Sequence, residues 1–130
     1  MDIEDGIGLD LSLLHLDLEE FEMLSKGLTN FSSLKYLQLN LEETNLDDVR
    51  LDKIANALSR YEFVEHIKLN ISGNTISLEV LEFVVKKLAR LPLMKELEVD
   101  VRRIKSVLNK KQFVDDLFDS LELKTKVLII

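Results

Sequence analysis

The sequence has no cysteine and no tryptophan, a single proline and only four glycines among its 130 residues. Without cysteine the chain forms no disulfides, thiolate nucleophiles or cysteine-ligated zinc and iron–sulfur sites. The shortage of glycine and proline excludes a collagen-like or linker-rich chain. No long apolar run is present, and the N-terminus lacks a basic region followed by an apolar one, so we expect neither a membrane span nor a signal peptide. A soluble intracellular protein is expected, and the sequence does not indicate its compartment.

Strongly apolar residues, in contrast, are abundant. Leucine, isoleucine, valine and phenylalanine together occupy 52 positions, and 27 of these are leucine. This is enough apolar material for the core of one domain spanning residues 1–130. The excess of leucine indicates a repeated layer of one side chain.

The net charge is −7, which repels phosphate backbones and disfavours generic binding to nucleic acid or anionic membranes. The charge is also uneven, because residues 1–22 contain eight carboxylates and no Lys or Arg precedes Lys26. Two interpretations remain open for this acidic segment. It is either a solubilising edge or a docking patch for a basic partner.

A repeat runs through the chain. The blocks LKYLQLNL at 34–41, VEHIKLNI at 64–71 and MKELEVDV at 94–101 are spaced by thirty residues and share apolar residues at their first, fourth, sixth and eighth positions. Alternation over the last five residues of a block is the period of a strand with one buried face. The block LSLLHLDL at 11–18 shows the same pattern at a shorter spacing of 23 residues.

The segments between the blocks have helical spacing of their apolar residues. The pattern therefore predicts strands near 11–18, 34–41, 64–71, 94–101 and 123–130, separated by helices at 19–31, 46–60, 76–90 and 110–120. Right-handed crossovers make such strands parallel and place them in sequence order. We expect an α/β solenoid with the sheet on its concave side and the helices on its convex side. Asn45 is predicted to cap the second helix, and Asn109 with Gln112 has the spacing of a capping box.

The block LxxLxLxL followed by an asparagine resembles a leucine-rich repeat. Two repeats carry the match: Leu34, Leu37, Leu39, Asn45 and Leu46, then Val64, Ile67, Leu69, Asn74 and Ile76. The pattern is most similar to the ribonuclease-inhibitor-like subclass, in a long-strand variant found in protist proteins. A plain open α/β sheet of near-identical units is the alternative. The resemblance implies protein–protein recognition through the concave sheet face, with no chemistry of its own.

Side chains that alternate with the core set are expected to face the concave side. In chain order they are Leu13, His15 and Asp17; Tyr36, Gln38 and Asn40; His66, Lys68 and Asn70; and Glu96, Glu98 and Asp100. Tyr36 beside His66 is the most interface-like pair. The row formed by Asp17, Asn40, Asn70 and Asp100 is expected to bond across neighbouring strands, or to bond an extended partner. The acidic fourth strand is either a solvated face or the site of a basic partner.

Catalysis, a cofactor and a bound metal are not expected. His15, Asp17 and Glu19 alternate and so would share one strand face, but one strand rarely completes a coordination shell, and His66 lies two strands away. No serine lies beside a candidate base, and the fragment Gly6–Ile7–Gly8 is not a phosphate-binding loop.

A basic cluster and an apolar terminus complete the predicted surfaces. The basic cluster comprises Arg102, Arg103, Lys105, Lys110 and Lys111. It is interpreted as solvated or paired within the chain, with protein docking and nucleic acid as alternatives. The apolar C-terminal edge comprises Val127, Leu128, Ile129 and Ile130. This edge is a candidate for self-association or docking, unless the N-terminal segment covers it.

The strand that carries this apolar C-terminal edge has two alternative registers. In phase with the repeat, Lys126 falls at a core position and must extend its ammonium outward. Shifted by one residue, Leu128 and Ile130 face outward instead.

We expect a non-catalytic protein-binding or assembly module, a subunit of a larger complex whose partners are other proteins, some with basic surfaces. The alternative function is a nucleic-acid-associated adaptor that uses residues 102–111.

Overall fold

The computed structural model describes residues 6–123 and 125–130. Five strands alternate with helices along the chain. In order the elements are β1 (Gly6–Asp10), α1 (Leu18–Thr29), β2 (Tyr36–Asn40), α2 (Asp48–Leu58), β3 (His66–Asn70), α3 (Leu78–Ala89), β4 (Glu96–Asp100), α4 (Lys105–Leu108), α5 (Lys111–Asp119) and β5 (Thr125–Ile129). All neighbouring strands pair in parallel, and the sheet order is β1-β2-β3-β4-β5. The predicted α/β solenoid with parallel strands in sequence order is confirmed.

The first strand is not where the sequence pattern placed it. The prediction of a strand at 11–18 is wrong, because β1 pairs with β2 through Gly6↔Tyr36 and Asp10↔Asn40, a spacing of thirty residues. The segment after β1 is a turn and a loop that lead into α1. The thirty-residue period therefore extends over four strands, and only the last step, from Glu96 to Thr125, is shorter by one residue.

The core lies between the sheet and the helices and is built by alternate strand residues. One complete row shows the pattern: Ile7, Leu37, Ile67, Leu97 and Lys126 stand side by side across the sheet. The three central members of the row are fully buried. Lys126 occupies the last place, so of the two registers that the sequence left open the structure has the in-phase one. Its ammonium donates to the carbonyl oxygens at the end of α5, at 2.7 Å from Asp119 and 2.8 Å from Leu121.

Helix starts differ from the predicted caps. Asp47, not Asn45, caps α2 by accepting the amide of Arg50 at 3.0 Å. Asn45 instead adopts a left-handed backbone with φ of 69°. The predicted capping box of Asn109 and Gln112 is absent, because Lys110 is the N-cap of α5 and makes no side-chain cap bond. The negative charge of Asp47 also interacts favourably with the positive end of the helix dipole, which favours this residue at the helix start.

The turn after each of the first four strands repeats one strained conformation. Leu13, Glu43, Gly73 and Arg103 all have positive φ, and they are spaced by thirty residues. A side chain with a Cβ rarely adopts this region, which glycine tolerates freely. The recurrence shows that stacking of the repeats imposes the turn on whichever residue stands there.

Tyr61 joins the first two repeats from inside the core. It is fully buried, and its hydroxyl donates to the carbonyl oxygen of Leu28 at 2.6 Å. Burial raises the pKa of Tyr61 from 10.0 to about 12. The folded state therefore favours the neutral phenol.

We expect Tyr61→Phe to lower the free energy of unfolding by about 1 kcal/mol near neutral pH, because the buried carbonyl loses a donor. This difference in the free energy of unfolding is fully present at pH values below 10.0, the ordinary pKa of tyrosine, and is lost as the pH rises through about 12, the pKa of Tyr61 in the folded state. Urea denaturation at neutral and at alkaline pH measures it. Tyr36→Phe, on a half-buried tyrosine whose hydroxyl contacts the exposed side chain of Gln38, is the control and should change stability by less than about 0.5 kcal/mol. A Tyr61→Phe protein as stable as the wild type at neutral pH would contradict a role for this bond.

Candidate protein-binding face

The side of the sheet away from the helices carries three rows of side chains, and we call the first two of them, counted from the strand starts, the open sheet face. One row is Gly6, Tyr36, His66, Glu96 and Thr125, and the next is Gly8, Gln38, Lys68, Glu98 and Val127. Tyr36, Gln38, His66, Lys68, Glu96 and Glu98 thus lie together as predicted from their alternation. Most of them are half-buried, since neighbouring strands bring their side chains into contact.

Tyr36 is the aromatic centre of this face. Its ring centroid lies 6.3 Å from that of His66 at a tilt of 44°. The Tyr36 hydroxyl is 3.3 Å from Oε1 of Gln38, and Nδ1 of His66 is 3.7 Å from Oε2 of Glu96. These contacts hold four side chains against one another, so the face presents a preorganised polar and aromatic surface.

Gly8 leaves the face bare beside Gln38. A Cβ placed on Gly8 would meet only the Cβ of Gln38, at 4.0 Å, which is ordinary contact. The strand therefore does not require glycine there. Because Gly8 has no side chain, the backbone of β1 is exposed next to the side chains that contact Tyr36 and His66. Another chain can approach the sheet closely at this point.

Charge on the face is only partly balanced. Among the described residues neither Lys68 nor Glu98 has a salt-bridge partner, although the strand register places them side by side. Within the described part of the chain, the ion pair of Glu96 is with His66, at 3.7 Å. The β4 side of the face is thus acidic, which suits a partner with a basic group opposite.

The amide and carboxylate row at the strand ends is structural, but not in the predicted way. Its members are Asp10, Asn40, Asn70 and Asp100, so Asp10 stands where Asp17 was predicted. Each Oδ1 accepts the backbone amide two residues later, at 3.0 to 3.1 Å. These bonds lie within each turn and do not cross between strands. The row therefore closes four equivalent turns.

His15 and Asp17 do not belong to the open sheet face. His15 is exposed in the loop after β1, and Asp17 caps α1 by accepting the amide of Glu20 at 2.8 Å. Glu20 completes a capping box by accepting the amide of Asp17 at 3.1 Å. The strand alternation that would have grouped Asp17 with Glu19 is absent. No group of His, Asp and Glu suited to hold a metal ion occurs within residues 6–123 and 125–130.

Both arginines of the predicted basic cluster pair within the chain. Arg102 makes a two-pronged contact with Asp100, with Nη2 at 2.6 Å from Oδ2. Burial of Asp100 alone would raise its pKa, but the hydrogen bonds from Arg102 outweigh burial and hold the pKa below its usual range. Arg103 contacts both Glu42 and Glu43, sixty residues back along the chain. Lys105, Lys110 and Lys111 are exposed.

The two ends of the stack differ in how much apolar surface they expose. Val127, Leu128, Ile129 and Ile130, predicted as an apolar edge, are all half-buried. β1 does not cover them, because it lies at the opposite edge of the sheet from β5, and residues 1–5 lie outside the described part of the chain. Among the described residues the N-terminal end exposes more large apolar side chains than the last repeat: Leu13, Leu14, Leu18, Met23 and Phe31, against Leu108 and Phe113.

Comparisons with known proteins give the fold a precedent. No protein-family model matches the chain, and no curated protein matches it in sequence. Its structure is similar to that of leiomodin-1 actin-binding site 2, with a TM-score of 0.65 and 15% identity over 97% of this chain and 70% of that one. At this identity the similarity shows the fold. Of the helices in the described part of the chain, none combines the length and the apolar character that a membrane crossing needs.

Sequence reasoning missed Gly8 in the open sheet face and Asp10 in the row at the strand ends. The signal was present, because Gly8 and Asp10 stand thirty residues before Gln38 and Asn40. Counting the period backward from β2 identifies both residues. The competing pattern at 11–18 obscured them.

Proposed function

We propose that the protein is a non-catalytic protein-binding module that recognises a partner through the open sheet face. The observation that carries this proposal is Gly8, which leaves bare backbone beside the preorganised cluster around Tyr36. Aromatic residues in contact with polar neighbours are typical of interface centres. The acidic β4 side, with Glu98 unpaired among the described residues, suits a partner with a basic surface.

Assembly into a larger complex is the form of binding that we favour. The chain forms a small single stack, and no described residue covers its open sheet face or its N-terminal apolar side chains. The half-buried C-terminal edge supports self-association less strongly than the sequence suggested. Because Arg102 and Arg103 are already paired with carboxylates, a nucleic-acid adaptor is the weaker alternative.

The fold has a protein-binding precedent in leiomodin-1 actin-binding site 2, which is named for the protein it binds. Purified actin is therefore the first defined protein to test for binding. The similarity is one of fold, so the partner of this chain is to be established by experiment.

Affinity purification of the tagged protein from its native cells, with quantitative mass spectrometry, tests the proposal through two variants of the open face. Gly8→Val adds a branched side chain where a Cβ meets only ordinary contact, so the fold is kept and the bare surface is filled. Tyr36→Ala removes the aromatic centre. We expect both variants to lose the same proteins, by about tenfold or more.

Asn56→Val, on the exposed side of α2, is the matched control and should retain those partners. Melting temperatures near that of the wild type establish that each variant is folded. If both open-face variants keep every protein that the control keeps, the open sheet face is not the binding surface. Partners that persist at high salt support an assembly subunit, and partners lost at high salt indicate recognition by charge.

A further inference from the structure

The N-terminal end of the stack is an open apolar groove between β1 and α1. Its volume is about 520 Å³. Leu9 and Leu11 line it from the strand side, Leu14 from the loop, and Leu24 and Phe31 from the helix side. Phe31 is 39% exposed. In each later repeat the corresponding space is filled by the preceding repeat, and among residues 6–123 and 125–130 no such layer covers the groove at this end.

The opposite end is closed by Lys126. This side chain points into the core row of β5, and its ammonium is held by two carbonyl oxygens at the end of α5. An inward-pointing lysine on an edge strand disfavours the addition of another chain. The asymmetry makes the N-terminal end, not the C-terminal edge, the candidate for docking.

The groove side of α1 has the form of a helix-packing surface. Glu20, Met23 and Gly27 line it at spacings of three and four residues, which places them in one stripe along the helix, and Phe31 lines it from the turn just after the helix ends. Gly27 lowers the stability of α1 compared with alanine at the same position. The fold does not require glycine there, because an added Cβ would meet nothing within 4 Å and the φ of Gly27 is not positive. A glycine at this point leaves a notch through which a second helix can approach α1 closely.

The charge around the groove selects the chemistry of the occupant. Residues 6–33 carry five carboxylates and one lysine. Asp17, Glu19 and Glu20 stand together at the start of α1, and Glu20 lines the groove itself, whereas Glu22 faces α2 and pairs with Lys53. Two copies that met through this end would bring like charges together, which disfavours a symmetric dimer. A helix with basic residues beside its apolar stripe would place cations against these carboxylates.

We propose that a basic amphipathic helix of a partner protein packs alongside α1 in this groove, in the place that a preceding repeat would take. Its apolar stripe covers Met23 and Phe31 and passes over Gly27. This surface is separate from the open sheet face, so the two proposals stand or fall independently.

A designed helix made only of leucine and lysine, about 18 residues long, is a suitable probe because it is basic, amphipathic and long enough to be helical. The chain contains three methionines, and Met23 in the groove and Met94 outside it give two internal reporters. With ¹³C-methyl-labelled methionine, we expect the Met23 signal to shift and saturate on titration while the Met94 signal stays in place. Gly27→Leu fills the notch and should weaken binding by about tenfold or more.

Asn56→Leu adds the same side chain to an exposed position of α2 and should leave the affinity unchanged. If Gly27→Leu does not fold, Gly27→Ala takes its place, with a raised melting temperature and weakened binding expected together. The proposal is overturned if the notch-filling variant binds as tightly as the wild type, or if a leucine–glutamate helix binds equally well. It is also overturned if the Met23 signal shifts with protein concentration alone, which would make a second copy the occupant.

Discussion

Replacing Asn74 by alanine is expected to lower the free energy of unfolding by about 3 to 5 kcal/mol, because several buried backbone groups lose their only side-chain partner. Asn74 is almost fully buried, between the second and third repeats. Its Oδ1 accepts the amides of Thr44 at 3.2 Å and Leu46 at 3.0 Å. Its Nδ2 donates to the carbonyl oxygens of Leu41, Ile71 and Ser72. One side chain thus contacts five backbone groups, of which the carbonyls of Leu41 and Ser72 also accept from Thr44 Oγ1 and from the amide of Glu43.

Urea denaturation of Asn74→Ala against the wild type measures this effect. Asn56→Ala removes an exposed asparagine and should change stability by less than about 0.5 kcal/mol. Asn74→Asp retains an acceptor but loses both amide hydrogens and buries a charge near carbonyl oxygens, so it should remain destabilised at neutral pH. A loss below about 1 kcal/mol for Asn74→Ala would mean that water replaces the amide and that Asn74 does not join the repeats.

The central part of the fold was predictable because its strands share one strict period. In a parallel sheet of stacked repeats each strand pairs in register with its neighbour, so a spacing of thirty residues in sequence becomes a row in the structure. The first strand was missed because Glu4 stands where Leu34 stands in the next repeat, whereas 11–18 shows the full apolar pattern. Constant spacing was the better guide, since pairing register depends on it and not on a single apolar position.

The binding face was predictable in its residues but not in its shape. Alternation placed Tyr36 and His66 on one face, as the structure has them. Alternation does not show that Gly8 leaves empty space or that Gly27 faces an open groove, because both depend on what the neighbouring repeat provides. The pairing of Arg103 with Glu43 depends on two turns meeting across an intervening repeat, which local sequence does not encode.

That intervening repeat contributes Gly73, and Gly73→Ala is the second substitution with a large expected effect. Gly73 has a φ of 69°, and a Cβ there would lie 2.5 Å from Cγ of Glu43. Glu43 crosses over Gly73 to contact Arg103. Alanine would impose left-handed strain of about 1 to 2 kcal/mol and would also displace the Glu43 side chain. We expect a total loss of about 2 to 3 kcal/mol in the free energy of unfolding.

A double-mutant cycle with Glu43→Ala separates the two causes. Removing the Glu43 side chain relieves the steric contact but not the backbone strain, so the loss caused by Gly73→Ala should fall to the strain alone, about 1 to 2 kcal/mol. Gly27→Ala makes the same chemical change at a helical φ with empty space around it and should instead stabilise the protein by about 0.5 to 1 kcal/mol. Additive losses in the cycle would show that Glu43 moves aside without cost. In that case the positive φ alone would explain why residue 73 is glycine, because the contact between Glu43 and Arg103 would not require the absence of a side chain there.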